Sequence, residues 1–255
     1  MARIAKNRID QLLVERGLAK NRSKAQALVL AGSVFRGSQR IDKPGTVVPE
    51  DAIIHVLGQD HPWVSRGGIK LEHGLLHFGF KPEGRVCLDI GTSTGGFTDV
   101  LLHHGAVRVH AVDVGYGQLA WKLRTDDRVV VHEKTNARYL DQTVVPDPID
   151  AIVCDASFIG LQTVLPASMA LAVPDAWMIA LIKPQFQAGR DQVGKRGVVR
   201  DPAIHQMACN AVRTWLDGRQ GWTVNGIAES PITGPRGNRE FLIGATLADS
   251  AAASA

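Results

Sequence analysis

The sequence contains little cysteine. Its three cysteines, Cys87, Cys154 and Cys209, lie far apart, and two of them fall in apolar stretches that are typical of strands. A metal site or a disulfide framework needs closer and more regular spacing. We therefore expect three buried thiols, with neither a disulfide nor a bound metal.

Long hydrophobic runs are absent as well. No uninterrupted apolar stretch approaches the roughly 18 residues that a membrane span needs, and the opening MARIAKNRID lacks the apolar centre of a signal peptide. Of the 255 residues, 45% are hydrophobic and 21% are charged, which is typical of a folded globular protein. The chain is long enough for one full domain or two unequal ones. We expect a cytoplasmic protein that does not associate with membranes.

Positive charge is concentrated near the N-terminus. Residues 1–60 hold 10 Lys and Arg against 6 Asp and Glu, which leaves 19 against 19 in the remainder. A basic segment attached to a neutral larger one indicates that one part binds phosphate groups while the other carries out chemistry.

The basic segment contains two short helical patterns, one ending near Gly17 and one over residues 23–30, followed by short strands with turn residues between them. The motifs R-x-D-x-x-L, G-L-A-x-x-R-S-K-A and A-G-x-V occur in order. The segment resembles the S4-like RNA-binding domain of a small-subunit ribosomal protein, some tRNA synthetases and pseudouridine synthases. Cations at the start of the second helix could meet an RNA phosphate path. The candidate RNA-binding residues are Arg8, Arg22, Ser23 and Lys24.

A glycine-rich loop lies between a predicted strand and a predicted helix in CLDIGTSTGGFTDVLLHHG, residues 87–105. The loop does not match a P-loop, because Phe97 follows Gly96 where the lysine that neutralises a triphosphate is needed. A dinucleotide site is a weak second choice, since Ser93 replaces the second glycine. The remaining pattern, D-x-G-x-x-x-G-G, suits a ligand with an adenosine and an amino-acid tail but no phosphate. That ligand is S-adenosylmethionine.

A second acid supports this interpretation. Asp113 ends the next predicted strand, 22 positions after Gly91. A carboxylate there could accept both ribose hydroxyls of an adenosine. Alone, Asp113 would more often be a surface acid at a strand end, so the glycine loop decides in favour of the ligand.

The remainder of the chain alternates strands and helices. We predict strands near 86–90, 108–113, 128–132, 150–154, 177–183, 222–228 and 240–247. The last two are joined by the turn-rich SPITGPRGNR, which is too short for a crossover helix, so the last strand should be antiparallel. The fold class is α/β, a doubly wound, mostly parallel, seven-stranded sheet with a small α+β N-terminal domain.

Four polar residues should lie at or near the ligand-binding edge of this sheet: Lys70, Asp155, Lys183 and Glu240, in SRGGIK, VCDASF, LIKPQF and GPRGNREF. Each lysine alone would more often be a solvated surface group. Together the four resemble the Lys-Asp-Lys-Glu set of the FtsJ-like ribose 2′-O-methyltransferases. With the basic N-terminal segment, nearly the whole chain is similar to the TlyA family of ribosomal RNA methyltransferases, which also carries an old hemolysin label.

The resemblance implies a Rossmann-like methyltransferase that uses S-adenosylmethionine to methylate ribose 2′-hydroxyls of ribosomal RNA, in the 16S or 23S molecule and at cytidine. Lys183 would then be the general base, assisted by Lys70, with Asp155 and Glu240 orienting both ammonium groups. The candidate cofactor-binding residues are Asp89, Gly91, Ser93, Gly95, Gly96, Phe97, Asp113, Asn136 and Asp155.

The same resemblance sets the expected domain organisation. We expect an RNA-binding domain over residues 1–60, a linker over 61–65, the methyltransferase domain over 66–247 and a flexible tail over 248–255. The expected partner is ribosomal RNA or a ribosomal subunit, and the protein should be a monomer. An RNA base methyltransferase is the first alternative, although no nucleophilic cysteine motif or Asn/Asp-Pro-Pro-Tyr motif is present. A membrane-lytic hemolysin is the second.

Overall fold

The computed structural model describes residues 6–16, 18–19, 21–37, 39–56, 61–187, 193–194, 197–234 and 237–248. Gly17, the predicted end of the first helix, and most of the predicted tail lie outside these ranges. The chain divides into two compact units, residues 1–62 and 63–255. Each unit is described by itself.

The first unit packs two helices against small antiparallel sheets. The helices are α1 (Ile9–Glu15) and α2 (Arg22–Leu30); the strands are β1 (Lys6–Arg8), β2 (Val34–Arg36), β3 (Gln39–Arg40), β4 (Val47–Pro49) and β5 (Ile54–Val56). Strand β1 pairs with β4, and the other sheet has the order β3-β2-β5. Apolar residues of both helices and of β2 and β4, among them Ile9, Leu13, Val29 and Val34, form a core of their own. This unit therefore has the predicted small α+β fold.

The second unit is built on a seven-stranded sheet. Its strands are β6 (Val86–Ile90), β7 (Arg108–Val112), β8 (Val129–His132), β9 (Ile149–Cys154), β10 (Ala172–Ile182), β11 (Trp222–Glu229) and β12 (Phe241–Leu247), in the order β11-β12-β10-β9-β6-β7-β8. Strand β12 runs antiparallel to both of its neighbours, and the pairings among β6 to β10 are parallel. The predicted reversed last strand is confirmed.

Helices cover both faces of the sheet. They are α3 (Gly67–Phe78), α4 (Gly96–His103), α5 (Trp121–Arg124), α6 (Leu161–Met169), α7 (Pro184–Gln187) and α8 (Pro202–Asp217). Successive strand residues point to opposite faces, so Ile152 and Cys154 of β9 join the core with α6 and α8, whereas Ala151 and Val153 join the core with α3 and α4. Burial on both faces explains why these strands are nearly continuous apolar runs in the sequence.

The three cysteines are buried and unpaired, as predicted. Within the part of the chain that the structure describes, no helix combines the length and the apolar character needed to cross a membrane.

Candidate active site

The predicted cofactor loop lies between β6 and α4, at the carboxyl edge of the sheet. Gly91 and Gly95 have φ angles of +79° and +96°, a region that side chains other than glycine rarely adopt. A Cβ on Gly91 would lie 2.9 Å from the Ala156 Cα, and a Cβ on Gly95 would overlap the Leu123 side chain. Both glycines are therefore required for the loop to pack closely against Ala156 and Leu123.

Asp113 is held against this loop by backbone amides. Its Oδ2 accepts a hydrogen bond from the Ser93 N–H at 2.7 Å, and its Oδ1 accepts one from the Gly115 N–H at 2.7 Å. Each carboxylate oxygen has further acceptor capacity. The residue is only partly buried, so this capacity is available to a pair of ligand hydroxyls.

Asn136 follows β8 at the same edge of the sheet. Its Oδ1 accepts a hydrogen bond from the Arg138 N–H at 3.1 Å and caps a short 3₁₀ turn, Ala137–Tyr139.

Asp89 lies beneath the loop and is fully buried. Its Oδ2 accepts a hydrogen bond from the Thr98 hydroxyl at 2.6 Å, whereas its Oδ1 is buried without a hydrogen-bond partner among the described residues. Burial raises the pKa of Asp89 to about 7, against the opposing effect of the Thr98 hydrogen bond, and the nearby Asp155 and Asp113 carboxylates add to the rise.

Phe97, another predicted cofactor residue, points elsewhere. Its side chain is 3% exposed and belongs to the core on the α3 and α4 face of the sheet. Only its backbone, in the first turn of α4, is left to face a ligand.

The residues of the loop fit the expected cofactor. Asp113 can accept from a hydroxyl pair, as an adenosine ribose presents, and the unpartnered Asp89 oxygen can accept from a nitrogen donor. Because glycines have no side chain, the backbone of the loop can approach a bound ligand closely. No cation that would bind a phosphate chain occurs in the loop sequence itself.

The four predicted catalytic residues come together although they lie on four different elements. Lys70 belongs to α3, Asp155 and Lys183 follow β9 and β10, and Glu240 precedes the reversed β12. The Lys70 Nζ lies 2.6 Å from Glu240 Oε2 and 3.6 Å from Asp155 Oδ2. The Lys183 Nζ lies 2.6 Å from Asp155 Oδ1. Asp155 therefore stands between the two lysines.

These residues are not a pair of surface salt bridges. Lys70, Lys183 and Glu240 are 7%, 5% and 1% exposed, and isolated lysines and glutamates are rarely buried to this extent. Two positive and two negative charges balance one another here, so removing any one of them leaves a buried charge unpaired.

The tetrad adjoins the cofactor loop. The Asp155 N–H donates to the Ile90 carbonyl oxygen at 3.0 Å, and Ala156 is the residue against which Gly91 packs. The strand-end loops after β6 and β9 thus place the tetrad directly beside the loop, where ligands of such sheets bind.

Two residues of the site were missed by the sequence analysis. Ser157 accepts a hydrogen bond from the Lys183 Nζ at 2.8 Å; its position two residues after Asp155 at a strand end could have indicated it. Gly234 leaves room for Glu240, because a Cβ there would overlap the Glu240 Oε1. No local pattern distinguishes Gly234 from the other glycines of its turn-rich segment.

The predicted RNA-binding arginines have an additional partner. Arg8 and Arg22 both donate to the fully buried Asp10 carboxylate, at 3.0 Å each, and Gln26 donates to the same carboxylate at 3.1 Å. The hydrogen bond from Arg8 is the main reason why the pKa of Asp10 lies well below its usual range. Asp10 was not predicted, and it orients two of the four candidates.

Ser23 and Lys24, the other two candidates, are exposed in the first turn of α2. The Lys24 N–H donates to the Asn21 side chain at 2.9 Å, which caps the helix. Among the residues that the structure describes, no three His, Cys, Asp or Glu side chains are arranged to hold a metal ion.

The strand order with one reversed strand, the glycine loop after β6 and the acid after β7 define the Rossmann-like methyltransferase fold. The model of the FtsJ-like methyltransferase family matches residues 63–247, and that of the S4 domain matches residues 7–54. The chain belongs to the FtsJ-like methyltransferase family and carries an S4 domain.

Relatives match over nearly the whole chain. The 16S/23S rRNA (cytidine-2'-O)-methyltransferase TlyA of Mycobacterium tuberculosis is 47% identical over 95% of this chain and 90% of its own. Hemolysin A of Brachyspira hyodysenteriae is 40% identical over 92% of this chain and 98% of its own. A solved structure described as a "putative hemolysin" from Streptococcus thermophilus is 41% identical, with a TM-score of 0.75, over 97% of this chain and 90% of its own.

Proposed function

We propose that this enzyme transfers a methyl group from S-adenosylmethionine to the 2′-hydroxyl of a cytidine in ribosomal RNA, in the 16S or the 23S molecule. The observation that carries the proposal is the buried tetrad of Lys70, Asp155, Lys183 and Glu240 beside the cofactor loop. A ribose hydroxyl is a weak nucleophile, so a base and accurate positioning are what it requires.

The cofactor, when bound, supplies an electrophilic methyl group. Gly91, Ser93, Gly95 and Gly96 would hold it through the loop backbone, and Phe97 would contribute backbone alone. Asp113 would accept from its ribose, and Asn136 and Asp155 follow the strands β8 and β9, which lie on either side of the β6–β7 pair. Asp89 would accept from a donor through its unpartnered oxygen.

Lys183 accepts the proton that the 2′-hydroxyl loses, which typically contributes about 10²- to 10⁴-fold to a rate. Asp155 holds the Lys183 amine at 2.6 Å, so its nitrogen cannot swing away from the edge of the sheet. Lys70, fixed by Glu240 at 2.6 Å, neutralises Asp155 from the other side and keeps that carboxylate from binding Lys183 alone.

The N-terminal unit binds the RNA. Arg8, Arg22, Ser23 and Lys24 would contact phosphate groups, with Asp10 orienting the two arginines. We further propose that the enzyme acts in the cytoplasm and that its partner there is the ribosome. We expect it to be a monomer that uses no metal. The expected domain limits, 1–60 and 66–247 with a linker over 61–65, belong to the same proposal.

Base methylation through a cysteine is not supported by this site. Cys154 directly precedes Asp155, but burial raises the pKa of its thiol to about 12, so the thiolate that such chemistry requires is scarce at neutral pH.

The test is to methylate ribosomal RNA from cells that lack the protein, and to identify the modified nucleoside by mass spectrometry. We expect 2′-O-methylcytidine. Lys183→Arg keeps the positive charge but cannot take up a proton, so it should lose at least about 100-fold in single-turnover rate with nearly unchanged binding of RNA and cofactor. A methyl group found on a base would refute the proposal, and a fully active Lys183→Arg would remove Lys183 as the base.

A further inference from the structure

Ser157 stands at the outer side of the tetrad. Its side chain is exposed, whereas Lys183 behind it is 5% exposed. The Ser157 Oγ lies 2.8 Å from the Lys183 Nζ. A ribose that approaches from solvent therefore meets the Ser157 hydroxyl before it can reach the lysine nitrogen.

The partners of the Lys183 amine differ in whether they can donate a proton to it. The Asp155 carbonyl oxygen accepts a hydrogen bond from Nζ at 3.0 Å. The Asp155 Oδ1 forms a close ion pair at 2.6 Å, although not in hydrogen-bond geometry. Both oxygens can only accept hydrogen bonds, whereas a serine hydroxyl accepts from an ammonium group and donates to a neutral amine. Of these three partners, Ser157 alone can pass a proton to Lys183.

The backbone around Ser157 is held in an unusual shape. Phe158, the next residue, has a φ of +66°, in the left-handed region that residues other than glycine rarely adopt. Strain of this kind persists where surrounding structure enforces it and is concentrated at functional sites. The two residues before Ser157 are anchored at the strand end, because the Asp155 N–H donates to the Ile90 carbonyl oxygen and Gly91 packs against Ala156. The Ser157 hydroxyl is at hydrogen-bond distance from Lys183, which follows β10.

We propose that Ser157 is a catalytic residue that relays the proton of the substrate hydroxyl to Lys183. Lys183 first releases one proton of its ammonium group to solvent. The 2′-hydroxyl proton then moves to Ser157 Oγ while the Ser157 proton moves to the neutral Lys183 Nζ. The 2′-oxygen forms its bond to the methyl carbon, and the electron pair of the broken bond stays on the donor sulfur. The step leaves a methylated ribose, an intact serine and a protonated lysine. This inference rests on the proposed function.

The test compares Ser157→Ala with Ser157→Thr, which keeps a hydroxyl at the same position. Thr125→Ala is the matched control, because Thr125 carries an exposed hydroxyl that donates to the Trp121 carbonyl oxygen of the preceding helical turn. Single-turnover methyl transfer to ribosomal RNA is measured in mixtures of light and heavy water, and cofactor and RNA affinities are measured in parallel.

We expect Ser157→Ala to lose at least about tenfold in rate, with unchanged affinities, and Ser157→Thr and Thr125→Ala to stay within about threefold of the parent. Two protons move together in the parent, so its rate should depend on the heavy-water fraction along a curve. In Ser157→Ala one proton moves, and the dependence should become linear. A serine that merely supports the structure would not change the shape of this dependence.

The relay is overturned if Ser157→Ala keeps the parental rate, or if it is slower but retains the curved dependence. Both outcomes leave the proposed function intact, because the parent still methylates ribose. If the parent and the Thr125→Ala control both fail to methylate ribose, the proposed function itself fails and the relay fails with it.

Discussion

Asp89 should make the stability of the protein depend on pH. Its pKa is raised from an ordinary 3.8 to about 7, first of all because it is buried. Between these values the folded protein keeps a proton that the unfolded chain has released, so the free energy of unfolding falls as pH rises. Each pKa unit corresponds to about 1.4 kcal/mol, so the whole difference corresponds to roughly 4 kcal/mol. About 3 kcal/mol of this should be lost between about pH 5 and pH 8.5.

Asp89→Asn removes the titrating group while keeping its shape. The free energy of unfolding is measured by urea denaturation at about pH 5 and about pH 8.5. Relative to the parent, the free energy of unfolding of this variant should be up to about 3 kcal/mol larger at the higher pH than at the lower. Thr98→Val removes the hydroxyl that favours the ionised carboxylate. It should therefore raise the pKa of Asp89 further and enlarge the loss of unfolding free energy with rising pH. An unfolding free energy that differs between Asp89→Asn and the parent by the same amount at both pH values would refute the reasoning.

Three further predictions concern other parts of the molecule. Asp10→Asn should lower the free energy of unfolding of the N-terminal unit by roughly 1 to 3 kcal/mol in calorimetry of the full chain, because Arg8 and Arg22 lose a charged acceptor; an unchanged transition would contradict this. Lys24→Ala should weaken RNA binding and reduce its salt slope by about 1 with cofactor affinity intact, and an identical salt series would refute a phosphate contact. Gly68→Ala should displace the buried Trp63 ring, which a Cβ there would overlap, and shift its fluorescence; an unshifted spectrum would count against this packing.

The Trp63 contact concerns a residue that the sequence alone placed in a linker. The side chain is 6% exposed, and it packs with His103 of α4, their ring centroids 5.1 Å apart. The adjacent Val64 N–H donates to Asp99 at 2.8 Å. A polar, proline-containing stretch predicts irregular chain correctly, but the pattern cannot show against which surface an irregular segment packs.

The architecture was determined largely by local patterns. Buried strands appear in the sequence as short apolar runs with helical spacing between them, and six of the seven strands start and end within about two residues of their predicted limits. The longest, β10, begins at Ala172 rather than at 177, because the exposed Pro174 and Asp175 interrupt its apolar run. The reversed β12 followed from the absence of a crossover helix before it.

Tertiary structure decided which polar groups of the site contact one another. Lys70 and Glu240 are 170 positions apart and share a hydrogen bond of 2.6 Å; the resemblance grouped them, but only the sheet shows Asp155 between the two lysines. Ser157 forms its hydrogen bond with Lys183, which lies 26 positions away at another strand end, and the raised pKa of Asp89 results first of all from burial. Local patterns record which surfaces avoid water, and they determine secondary structure. Hydrogen bonds and charge pairs depend on distances of a few ångströms between remote residues, and only the folded chain sets those distances.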